Sequence, residues 1–143
     1  MKLSKILLEG PIEYDPDFNR EIDKLTDQGA VYRGSGDYGS VYFLHGKAYK
    51  ITTDSDELDH AEILKGKKTN NFVHIYDVNR LEDKLGIIVM DILGEYKGEI
   101  PEDFILRLEH EAKNLGIDPE ELDLLSGNFM QDPRTGRIKM VDV

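Results

Sequence analysis

There is no cysteine and no tryptophan in the chain, so neither a disulfide nor a thiolate-held metal can form. That absence suits a reducing compartment, and a cytoplasmic location is the expectation. Basic residues are scarce: 18 lysines and arginines stand against 29 aspartates and glutamates, a net charge of -11. Such a field argues against nucleic acid as a partner. It leaves room for a small anionic ligand held by local amides and one or two lysines. Long apolar runs are missing too. The opening stretch has only three consecutive apolar residues, Ile6, Leu7 and Leu8, before Glu9. That is too short for a secretory signal, and since no run could span a bilayer, no membrane partner is expected.

What remains is an ordinary globular composition, 39% hydrophobic and 33% charged over 143 residues. It is enough for one domain with a real core, or for two small lobes around a cleft. Residues 4–9 predict a short helix stopped by Gly10 and Pro11. Asp15 and Pro16 then open a helix with Phe18, Ile22 and Leu25 on one face and Gly29 as its stop. Asp15, Asp17 and Asn19 imitate the start of a calcium loop, but Arg20 and Thr26 occupy the positions that need glycine and glutamate. This is an acidic first turn on a helix dipole. Residues 30–33, 40–44 and 48–52 read as strands. A helix capped at Asp54 and running to about 65 follows, with Leu58, Ala61 and Leu64 inward, and then strands over 72–78 and 85–92 around a 79–84 turn. The sum is α+β, a five-stranded antiparallel sheet with one helix packed on it. Beyond Gly94, Pro101 opens a long helix striped by Phe104, Ile105, Leu108, Ala112 and Leu115. Asp118 caps a further turn, and residues 128–131 and 137–141 form a β-hairpin. His45, His60, His74 and His110 have no metal spacing and read as turn or surface residues. Tyr32, Tyr38, Tyr42 and Phe43 read as sheet packing rather than a base-stacking platform.

The chemistry concentrates between Gly34 and Lys50. Gly34, Gly36 and Gly39 have the spacing of a dinucleotide-binding turn, for which Asp54 or Asp56 would be the ribose acid. In that fold the third glycine opens a helix. Here Val41, Tyr42, Phe43 and Leu44 follow it and run into a Gly46 turn, so the glycines lie between strands instead. A glycine hairpin can lay its amides along a polyphosphate because no β-carbon blocks the approach. Lys50 would point at the same phosphates from the neighbouring strand.

These residues resemble the protein kinase-like superfamily. Gly34-x-Gly36-x-x-Gly39-x-Val41 is similar to that family's glycine-rich loop, with Ser35, Asp37 and Tyr38 between the glycines, and Ala48-Tyr49-Lys50 is similar to its lysine strand. Downstream and in order, Asp123 and Asn128 have the spacing of the catalytic loop, and Asp142 stands where Asp-Phe-Gly would begin. The resemblance implies ATP and Mg²⁺ as cofactors. Lys50 would pair the α- and β-phosphates, Asp123 would accept or orient the substrate proton, and Asn128 and Asp142 would ligate magnesium. It implies Met90 as gatekeeper and the backbone from Asp91 to Leu93 as the adenine-reading hinge. An acid on the helix would hold Lys50. Asp59 and Glu62 are both open for that role, and His60 occupies the position one common spacing selects.

The resemblance covers residues 30–143, with residues 1–29 as a helical extension, 30–93 as a small lobe and 94–143 as a reduced large lobe. Glu121 stands where the family has the histidine of its catalytic loop. Past Val143 there is no glycine of Asp-Phe-Gly, no activation segment and no further helices, which fits either a miniature kinase or a truncated chain. The function implied is magnesium-dependent transfer of the ATP γ-phosphoryl group to a protein or small-molecule hydroxyl. The alternative is an inactive nucleotide-binding or protein-interaction module, with a protein partner or a second copy over the surface that the absent lobe would cover.

Overall fold

The computed structural model describes residues 16–36, 39–82, 84–124 and 126–141. The helix expected over 4–9, the Asp15 cap, Asp37, Tyr38 and Asp142 lie outside the described residues. Helix α1 (Pro16–Asp27) leads into strands β1 (Val31–Ser35), β2 (Gly39–Leu44) and β3 (Lys47–Thr52). Helix α2 (Ser55–Leu64) precedes β4 (Ile75–Glu82) and β5 (Leu85–Met90). A short β6 (Gly94–Glu95), α3 (Glu102–Leu115), β7 (Phe129–Gln131) and β8 (Ile138–Met140) complete the order.

The first five strands form one antiparallel sheet in the order β1-β2-β3-β5-β4. Because side chains alternate along a strand, β2 and β3 sort their residues cleanly. Val41, Phe43 and Ala48 join the core that α2 and α3 share, while Tyr42, Leu44, Tyr49 and Ile51 meet Phe18 and Leu25 of α1 on the opposite face. The helical extension thus covers the outer face of the sheet. Its stop is Gly29, which takes a φ of 101° that a side chain would resist.

Helix α2 starts at Asp54, whose carboxylate accepts the backbone N–H groups of Asp56 and Glu57, as an N-cap should. Leu58, Ala61 and Leu64 are buried, as their spacing predicts. So is His60 at 5% exposure, which corrects its assignment to the surface: helical phase carries it round with Ala61 and Leu64.

Two boundaries also shift. The strand expected from 72 begins at Ile75, because Phe72 bridges Met140 in parallel and the Val73 N–H donates to the Met140 carbonyl at 2.9 Å. Strand β4 then runs on to Glu82, shortening the turn expected over 79–84. The hairpin is also wider than the sequence suggests, since β6 adds a third strand beside β7. Glu111 of α3 accepts from the backbone N–H groups of Asn70 and Asn71, each at 2.9 Å. One apolar cluster therefore runs from Ala48 and Ile88 through Leu58 to Phe104, Leu108, Phe129 and Met140. Among the described residues no helix is long and apolar enough to cross a membrane.

Candidate functional site

The glycine stretch is the turn of the β1–β2 hairpin: Ser35 pairs with Ser40, and the Gly36 N–H donates to the Gly39 carbonyl at 2.9 Å. No helix follows Gly39, which removes the dinucleotide alternative. Its glycines differ in what they face. A Cβ at Gly39 would lie 2.4 Å from the Ile51 carbonyl oxygen, whereas nothing stands within 4 Å of one at Gly34 or Gly36. Gly39 is glycine for the neighbouring strand, and the other two leave open backbone beside the cleft.

That cleft has a volume of about 770 Å³, within the range of small-molecule sites. The hairpin contributes Gly34, Ser35, Gly36, Gly39 and Val41, the next strand Ala48 and Lys50, and the end of β5 Met90, Asp91 and Leu93. Asp123 and Asn128 line the far side. These were separate in sequence, and the fold gathers them. Asp142 lies outside the described residues; Val141 lines the cleft and its N–H donates to the Asn128 carbonyl at 2.9 Å.

The partner of Lys50 is neither Asp59 nor Glu62. Lys50 Nζ donates to Oε2 of Glu57 at 2.6 Å, and the Thr52 hydroxyl donates to Oε1 at 2.9 Å. Lys50 and Thr52 are two apart on β3 and so share a face, which places both against the first turn of α2. Asp59 and Glu62 point off the other side of the helix, where each accepts from Arg80 of β4 at 2.7 Å. The available indication was phase: Glu57 lies four residues before Ala61 and seven before Leu64, on the buried face. An acid on an apolar face is the exception that needs a partner.

On the far side, Asn128 Nδ2 donates to the Asp123 carbonyl at 2.9 Å, closing the loop between them. Asp123 itself is exposed to the cleft. Met90 is buried at the end of β5, opposite Ala48. The backbone N–H of Asp91 is occupied by the His74 carbonyl at 3.1 Å. Its carboxylate accepts from the Tyr76 hydroxyl and pairs with Arg134 in the β7–β8 turn. The bond to Asp91, with burial, holds the Tyr76 hydroxyl above its ordinary pKa.

Sequence reasoning passed over Arg33, whose guanidinium lies 4.8 Å from the Phe43 ring centroid at the cleft wall. Among the described residues, the basic side chains of the lining are Arg33, Lys50 and His60. Asp54, Asp56, Glu57, Asp91, Glu121 and Asp123 are its acids. A polyphosphate entering so acidic a cleft needs added positive charge, and a hard divalent cation on oxygen ligands is the chemistry that supplies it. Among the described residues no group of three or more histidines or acids is arranged to hold a metal; of the two metal ligands that the resemblance implies, Asn128 lines the cleft and Asp142 lies outside the described residues.

No protein-family model matches the chain, and no curated protein matches it. Among solved structures it is similar to Rad53, a protein kinase, residues 1–466 in complex with AMP-PNP. The TM-score is 0.59 at 16% identity, covering 90% of this chain and 42% of that one. The chain thus spans less than half of that structure, and what the two share is the fold: a protein kinase-like α+β arrangement around a five-stranded antiparallel sheet.

Proposed function

We propose that the chain binds ATP in this cleft and acts as a magnesium-dependent phosphotransferase toward a protein or small-molecule hydroxyl. The observation that carries this reading is the convergence of Lys50, held by buried Glu57, with Asp123 and Asn128 on one cleft roofed by the glycine turn. The AMP-PNP bound to the structural neighbour favours a nucleotide as the occupant.

The open backbone at Gly34 and Gly36 would lie along the phosphates, and Ala48, Met90 and Leu93 would wall the base. Lys50 is aimed by the carboxylate beside it, so it would hold the α- and β-phosphates without reorganising. Asp123 would take the acceptor's hydroxyl proton as the acceptor oxygen bonds to the γ-phosphorus. The bond to the β–γ bridging oxygen breaks and ADP leaves. Magnesium, held through Asn128 and Asp142, would supply charge neutralisation at the β- and γ-oxygens.

Magnesium-ATP at a hundredfold over its dissociation constant should stabilise the fold by about 2.7 kcal/mol, read as a rise in melting temperature. Lys50→Ala should weaken that rise, and ADP formation should vanish in Asp123→Ala. No shift at millimolar nucleotide would sink the reading, whereas a shift without turnover in the unmodified chain would reduce it to a nucleotide-binding module.

A further inference from the structure

Two side chains on the inner face of α2 reach opposite walls of the cleft. Glu57 reaches back to Lys50. One turn later, His60 Nε2 lies 2.9 Å from Oε1 of Glu121, in a 3-10 turn spanning Pro119–Glu121. Asp123 follows two residues on. An ionised carboxylate only accepts, so His60 carries a proton on Nε2 and donates it. Glu121 has its side chain 58% exposed, so water is at hand to satisfy it. The consequence of the bond is therefore positional: a buried ring fixes where an exposed turn sits.

Leu122, between Glu121 and Asp123, is buried in the core cluster with Ala48 and Leu58, and two further hydrogen bonds hold the segment from within. Asp118 caps it through the Glu120 N–H at 2.9 Å, and Asn128 grips the Asp123 carbonyl from downstream. Neither hydrogen bond refers Asp123 to the sheet that carries Lys50. The bond from His60 does, because Glu57 and His60 sit three residues apart on one helical face and cannot move independently.

We propose that His60 is a positioning residue. Through Glu121 it locks the segment presenting Asp123 to the helix that aims Lys50, so that the phosphate-holding and proton-accepting groups form one unit. Its role rests on the cleft being a phosphotransfer site, but the linkage itself can be read without nucleotide.

The test uses the full chain with His60→Ala, His60→Gln, Glu121→Ala and the double alanine variant. The amides of Glu121 and Leu122 are held by the Asp118 and Pro119 carbonyls at 3.0 and 3.2 Å, so their hydrogen exchange reports on the turn. Exchange should quicken about fivefold or more in either single alanine variant, no further in the double, and return toward the unmodified rate in His60→Gln, whose amide can still donate. With magnesium-ATP, kcat for ADP formation should fall about tenfold while KM for ATP stays within about twofold, since small misplacements act on the chemical step. Glu121→Ala changes an exposed side chain and decides the matter if the buried substitution unfolds. Unchanged exchange at Glu121 and Leu122 in that variant overturns the linkage whatever the nucleotide result. Quickened exchange with unchanged kcat overturns the positioning role. An unmodified chain that gives no magnesium-ATP shift sinks the functional reading, and the role with it, by a different measurement.

Discussion

The inner face of α2 sends Glu57 to Lys50 across 2.6 Å, with side chains 4% and 15% exposed. Its outer face sends Asp59 and Glu62 to Arg80 at 2.7 Å each, with the two carboxylates 63% and 49% exposed. The distances are nearly equal, so geometry alone would rank the pairs together. Solvent separates them. Charges near the surface attract through a high effective dielectric and cost little to leave in water. A pair removed from water has paid its desolvation already, and each partner then depends on the other. The same helix thus carries an inner pair and a peripheral one, told apart by burial rather than by residue type.

The largest effect expected from this contrast is at Glu57. Glu57→Ala removes the carboxylate that both Lys50 and Thr52 bond. Breaking a buried pair costs about 3–5 kcal/mol, and access of water through the cleft argues for the lower end. A urea titration measures it. Glu57→Gln, which keeps an acceptor for Thr52, should lose less. A loss under about 1 kcal/mol for the alanine variant would put this pair on the same footing as the outer one and dissolve the comparison.

An intermediate case lies in the β7–β8 turn. The Asp132 carboxylate is buried but its partner Arg134 is exposed, and Oδ1 accepts the Arg134 backbone N–H at 2.8 Å. That backbone bond, followed by the burial that opposes it and the Arg134 side chain, leaves the Asp132 carboxyl below its ordinary value of 3.8. A depressed folded pKa means the ionised form is the one the fold favours. Its contribution is therefore present above the unfolded pKa and lost as pH falls through the folded one. Asp132→Asn should lower the melting temperature at pH 7, with the gap starting to close below about pH 3.8 and gone once Asp132 is protonated in the fold. A gap that stays constant down the acid limb would assign the effect to shape rather than charge.

How much of this was legible in the sequence follows the same line of burial. Apolar periodicity places α1, α2 and α3 and the five strands, because a residue that must leave water announces its face. The hairpin reading of Gly34 to Gly39 came from the β-branched and aromatic residues after it, and Asp54 announced itself as a cap. The partner of Lys50 was hidden because Glu57, Asp59 and Glu62 are equivalent as acids. Only the phase of Ala61 and Leu64 distinguishes Glu57, and it was read for apolar residues alone. His60 was missed for the same reason, since nothing local says that a histidine on an acidic helix meets a turn sixty-one residues away. Phe72 failed differently: its β-propensity is satisfied, but by Met140 of the distant hairpin rather than by β5.

The smallest effect is expected at the outer face. Arg80 shares its guanidinium between Asp59 and Glu62, a bridge from β4 to α2 that looks substantial when counted as two bonds. Arg80→Ala should nevertheless cost no more than about 1 kcal/mol, because both carboxylates regain water and the long side chain regains its rotamers. Salt sharpens the contrast. At 1 M, where the Debye length falls to about 3 Å, the Arg80→Ala deficit should shrink toward nothing while the Glu57→Ala deficit persists. If both deficits shrink alike, solvent reaches the inner pair as freely as the outer one. Lys50 would then be a solvated lysine beside a cleft, not a charge that the fold holds ready for phosphate.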